Sequence, residues 1–137
     1  GWHVPSDGQW TILEEFLIGN GYNYDGSSYG CSPCSSDYNK IAKSMASTTG
    51  WNGSATTGDP GNDQSSNNSS GFNAFPVGFR GTSYEDGAFV YESINAVFWS
   101  STENGIGTRT LSMTSNRPFR SLGGNLQDGF SVRFVRD

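Results

Sequence analysis

The chain has 137 residues, with 13 acidic against 8 basic side chains, a net charge of -5, and 33% hydrophobic but 14% aromatic residues. That length suits one domain with one core, in which large rings supply burial where aliphatic residues are few. The acidic balance argues against nucleic acid as a partner, and no apolar run reaches the length of a membrane span, so direct membrane insertion of this segment is not expected.

Residues 6–18 are predicted to form an amphipathic helix. Ser6 caps it, and Gln9, three residues on, completes a capping box. Asp7 in the first turn suits the positive helix end. Trp10, Leu13 and Leu17 recur at i, i+3 and i+7, with Ile12 and Phe16 widening the same face. Gly19-Asn20-Gly21 stops the helix with residues that tolerate a left-handed backbone. Tyr22 to Ser35 is turn-rich and holds both cysteines. A second helix is predicted over 36–47, capped by Ser36 or Asp37, with Ile41 and Met45 on its buried stripe and Lys40 and Lys43 facing water. From Thr48 to Gly71 the only apolar residues are Trp51 and Ala55. A loop this long is usually functional, ion-tied or disordered. Trp51 is expected to plug it into the core.

Strand signals dominate from Gly71. Phe72, Phe75, Val77 and Phe79 mark a first extended segment, interrupted by Pro76, and Ile94 to Ser101 a second. Thr108 to Thr114 alternates, with Leu111 and Met113 on one face and Thr110, Ser112 and Thr114 on the other. Arg117 to Leu122 is a short partner, and Phe130, Val132 and Phe134 alternate in a last strand. Two N-terminal helices, a long polar loop and a short-stranded, mainly antiparallel sheet make an α+β domain over 1–137.

Cys31-Ser32-Pro33-Cys34 has thioredoxin-type spacing. Redox catalysis needs the first thiol at a helix N-terminus, where its pKa falls, whereas the predicted helix begins after Cys34. A structural disulfide is the expectation, worth about 2 kcal/mol for so short a loop. A thiol oxidoreductase is the rival from the enzyme class. Zinc is disfavoured, because His3 is the only histidine and no second cysteine pair exists. The loop offers Asp59, Asn62, Asp63, Asn67 and Asn68, oxygen donors of the kind calcium takes; a solvated polar loop is the alternative.

A ligand face is expected late in the chain, from Trp99, Glu103, Asn104, Arg109, Ser112, Thr114, Asn116, Arg117 and Arg120. Planar hydrogen-bonding groups and hydroxyls beside an aromatic edge suit a glycan or an extended peptide. Arg109 and Arg117 are read as exposed, so that their removal would weaken binding and spare stability. No catalytic set is evident: His3 lies in the opening motif between expected core residues, and the glutamates show no glycosidase spacing. An enzyme is therefore not expected.

Four motifs carry a resemblance. They are the opening GWHVPSD with Trp10, Gly71 to Arg80 (GFNAFPVGFR), Trp99 to Glu103 (WSSTE) and the closing GFSVRFVRD, residues 129–137. In order and spacing the chain resembles the Fibrobacter succinogenes major paralogous domain. The resemblance implies a bacterial protein with a C-type-lectin-like fold. Similar endings occur in formylglycine-generating-enzyme-like proteins and in the variable proteins of diversity-generating retroelements; in lectin-like folds this C-terminal stretch commonly forms the ligand face, and in the retroelement proteins it is the diversified region. The late reactive cysteine pair of the former is missing here, so that activity does not carry over. The EPN and WND motifs of calcium-dependent sugar lectins are missing too. The expected function is an extracellular or cell-surface, adhesion-type binding module for a glycan or peptide. The rival is a structural subunit or pilin-tethered head of a surface filament that assembles through its polar surface.

Overall fold

A computed structural model describes residues 1–84, 87–102, 107–122 and 125–137. The elements run β1 (Trp2–His3), α1 (Asp7–Gly19), α2 (Ala42–Met45), a 3-10 turn (Gln64–Ser66), β2 (Phe79–Arg80), β3 (Phe89–Val90), β4 (Asn95–Trp99), β5 (Gly107–Ser112), β6 (Phe119–Leu122) and β7 (Val135–Arg136). The architecture is mixed α/β, with small antiparallel sheets.

Helix α1 starts as its sequence dictates. The Ser6 hydroxyl accepts the Gln9 backbone N–H at 3.3 Å, and the Gln9 carbonyl oxygen accepts the Ser6 N–H at 2.9 Å. Its buried face holds Trp10, Leu17 and Ile18, with Leu13 packed beside them. Ile12 and Phe16, read above as part of that face, are exposed. At about 100° per residue Ile12 falls nearly opposite Trp10 and Phe16 about 120° from it, while Asp7, Thr11, Glu14 and Ile18 share the stripe that borders it. Two carboxylates and a hydroxyl therefore face inward.

The second helix is a single turn, Ala42–Met45, rather than 36–47. The side chain of Asn23 accounts for this. Its Oδ1 accepts the Lys40 N–H at 2.8 Å, and its Nδ2 donates to the Tyr38 carbonyl at 3.1 Å. Backbone groups that a helix would pair internally are taken by a buried amide instead. Ile41 and Met45 are buried as expected.

Trp51 does anchor the polar loop. It is buried, and its indole N–H donates to Ser47 Oγ at 3.2 Å. The Gln64 side chain brackets the Trp51 backbone, accepting its N–H at 3.1 Å and donating to its carbonyl at 2.8 Å.

Strands β4, β5 and β6 form an antiparallel sheet in which Phe98 lies opposite Arg109, and Arg109 opposite Arg120. Two segments share the free edge of β4, bridging at Gly78 to Ala96 and at Ser131 to Phe98. Neither pairs at length, so the expected strands near 72–79 and 130–135 shrink to β2 and β7, and Phe75, Val77, Val132 and Phe134 are exposed. Pro76, which has no N–H for a ladder, adds to this. Gly78 has φ +64°, and a Cβ there would collide with the Val90 carbonyl, so only glycine fits this crossing. Strand β1 pairs antiparallel with β7, Trp2 opposite Arg136. At the centre Trp10, Phe72 and Phe98 meet with ring centroids 5.6–5.9 Å apart.

Candidate functional site: two faces of one sheet

Side chains alternate across a strand, so the β4–β5–β6 sheet presents Phe98, Arg109, Leu111 and Arg120 toward α1, and Val97, Trp99, Thr108, Thr110 and Ser121 to the other side. The expected ligand face is thereby divided.

On the inner side Arg109 is 3% exposed. Its Nη1 donates to Asp7 Oδ1 and its Nε to Glu14 Oε1, both at 2.6 Å. Its Nη2 reaches Thr11 Oγ1 at 3.3 Å and the Asp7 carbonyl at 3.4 Å. Arg120 pairs with the other Asp7 oxygen. Burial pushes the Glu14 carboxyl above its ordinary range, and Arg109 beside it pulls the other way. The reading of Arg109 as an exposed ligand contact is thus corrected: it is a buried cation that ties β5 to α1. The signal was present in the alternation, because Arg109 has the parity of Leu111.

A cleft of about 390 Å³ opens beside this network, between α1, the cysteine loop and the turn from β5 to β6. Glu14, Cys34, Asn39, Arg117, Phe119 and Arg120 line it. Cys31 and Cys34 form a disulfide, with their Cα atoms 4.9 Å apart. Mass spectrometry without reductant is expected to find the oxidised pair; an insulin-reduction rate lost in Cys31→Ser would contradict its structural role. Closing this loop is worth about 2 kcal/mol.

On the outer side Trp99 meets Phe130 edge to face at 4.5 Å, Phe130 meets Phe79 at 5.3 Å, and Phe79 stacks on Tyr91 at 5.6 Å and 11°. Beside these rings lies a groove of about 250 Å³, lined by Asn95, Thr108, Thr110, Ser121 and Asp128. Asp128 accepts the Thr82 N–H at 2.7 Å and the Thr82 hydroxyl at 2.8 Å, and these bonds hold its carboxyl below the usual range. Ser112 lies opposite Asn95 at one end of the groove, and Thr114 is exposed in the following turn. Asn116 serves the fold, its carbonyl accepting the Ala42 N–H at 3.1 Å. Glu103 and Asn104 lie outside the described residues. Phe79, Tyr91, Asp128 and Phe130 were not anticipated. They come from separated segments, and no local pattern links them.

The loop residues proposed for calcium are engaged with the chain itself. The Lys43 ammonium, expected to face water, donates to the carbonyls of Asn62 and Asp63, the latter at 2.9 Å, and to Asn67 Oδ1 at 2.9 Å. Burial lowers the pKa of that ammonium, against the pull of Asp63 and Asp59. Asp59 is buried and accepts the Ser54 hydroxyl at 2.7 Å, and Asn68 Oδ1 accepts the Asn73 N–H at 2.7 Å. Calcium needs six to eight oxygens, carboxylates among them. Among the described residues no three His, Cys, Asp or Glu side chains converge on one point, and a lysine ammonium fills the place where the loop oxygens do. This donor set does not fit calcium. His3 is likewise engaged, its Nδ1 2.6 Å from Asp137 Oδ1 and its Nε2 against the Gln9 amide.

Compared with curated proteins and with solved structures, the chain matches none. The motifs that shape this fold run from the paired ends to the bridged GFR segment, the model of the Fibrobacter succinogenes major domain matches residues 1–136, and the chain belongs to that family.

Proposed function

We propose that the domain is a non-enzymatic binding module of C-type-lectin-like architecture, displayed at the cell surface or outside the cell, that takes a glycan on the outer face of the β4–β5–β6 sheet. The row of rings Trp99, Phe130, Phe79 and Tyr91, beside the Thr108, Thr110 and Asp128 groove, carries this reading. Sugar C–H faces lie against aromatic faces, and sugar hydroxyls exchange hydrogen bonds with hydroxyls and carboxylates. The disulfide supports an oxidising compartment.

A glycan array probed with the wild-type domain and with Tyr91→Ala tests it. The variant is expected to bind a retained glycan more weakly by about 1 kcal/mol, the scale of one aromatic contact, with only a small fall in melting temperature from the lost stacking on Phe79. Tyr91 is 43% exposed, which favours that outcome. A blank array with hits in peptide display would move the ligand class to peptide. Polymerisation of the purified domain, abolished by Tyr91→Ala, would replace binding by self-assembly into a surface filament.

A further inference from the structure

We infer that the inner cleft is a second and separate site, built for a sugar acid: a carboxylate held by Arg117, with a neighbouring hydroxyl donating to Asn39. Two independent observations meet there. The first is charge. Asp7 and Glu14 are paired with Arg109 and Arg120, and Arg117 adds a third guanidinium to the cleft wall. Among the described residues no carboxylate stands within ion-pair distance of Arg117. On a chain of net charge -5, this cluster carries one positive charge more than its carboxylates balance. A half-buried guanidinium presents a fork that matches a carboxylate.

The second observation is an unpaired acceptor. Asn39 is only 9% exposed and lines the cleft. Its Nδ2 donates to Glu14 Oε2 at 3.0 Å, while its Oδ1 is buried without a hydrogen-bond partner. A buried, unpaired acceptor is uncommon and calls for a cause. The terminal torsion of asparagine is soft, so the amide turns to meet a donor entering the cleft. Pro33 and Pro118 add an apolar face to the same wall. A pyranose acid satisfies all three: carboxylate, hydroxyl donor and C–H face. Acetate supplies only the first, and glucose lacks it.

Titration of the 15N-labelled domain with D-glucuronate, D-galacturonate, acetate and D-glucose tests the inference, with an oligogalacturonide distinguishing a free acid from an acidic polysaccharide. The uronates are expected to shift the Asn39 side-chain amide and the Arg117 Nε–H, and D-glucose to leave both unmoved. Arg117→Gln should weaken uronate binding roughly tenfold or more, as for a charged hydrogen bond left unmade, without lowering the melting temperature. Tyr91→Ala on the outer face should leave it unchanged, which separates this site from the glycan groove. Tighter binding of the oligosaccharide than of the monosaccharides would identify the polymer as the source; equal binding would identify the free acid. Unmoved Asn39 and Arg117 signals at millimolar uronate, full binding by Arg117→Gln, or acetate binding as well as a uronate would each overturn the inference.

Discussion

Replacing Arg109 with methionine is expected to destabilise the fold by about 3–5 kcal/mol, the cost of breaking a buried ion pair from one side. The side chain is 3% exposed, and it serves two carboxylates of α1 at once. Methionine retains the stem volume but leaves Asp7 with Arg120 alone and Glu14 with no cation, only the Asn39 amide. Acidity sharpens the test. The folded-state pKa of Glu14 already lies above its ordinary value of 4.5 because burial outweighs Arg109. A raised acid contributes stability that is complete below the unfolded value and lost as pH rises through the folded one. Without Arg109 the folded value climbs further, so the deficit should be widest near neutral pH and narrow on acidification. Adding Glu14→Gln should restore part of it. Urea unfolding across that range reads both effects. A loss below about 1 kcal/mol, the ceiling for an exposed pair, would show that the network is not structural.

What the sequence disclosed, and what it hid, follows from how far each cause lies along the chain. The start of α1 is a local matter of Ser6, Gln9 and a helical period, and it forms as read. The second helix failed because Asn23 reaches forward to Tyr38 and Lys40; a propensity window around residue 40 does not include it. Arg109 was legible and misread. The alternation that puts Leu111 inside puts Arg109 inside as well, but arginine is so rarely buried without a partner that exposure looked safer. Its partners Asp7 and Glu14 stand on a helix about a hundred residues earlier. The outer rings, drawn from residues 79, 91, 99 and 130, meet only because two segments share the edge of β4.

Replacing Lys43 with methionine is expected to lower stability by about 2 kcal/mol and to loosen the loop from Thr48 to Gly71, while excess EDTA should leave the wild-type melting curve where it was. A long polar stretch needs something to order it, and here the ordering charge belongs to the chain. The ammonium satisfies two backbone carbonyls and the Asn67 amide oxygen, and Asn67 in turn donates to the Ser47 and Pro60 carbonyls. Each hydrogen bond to a charged group contributes about 1.5–3 kcal/mol when buried; partial exposure of Lys43 reduces the sum. Methionine preserves the aliphatic stem and removes only the charge and its donors. Lys43→Arg should not substitute, because a planar fork does not place its donors as a compact ammonium does. Amide exchange in the loop should rise in Lys43→Met and stay slow around Trp51, whose own hydrogen bonds to Ser47 and Gln64 remain. If EDTA lowers the melting temperature of the wild type, an ion holds the loop after all. If Lys43→Met melts with the wild type, the ammonium is a passenger, and the buried Asp59 with its Ser54 partner becomes the next group to remove.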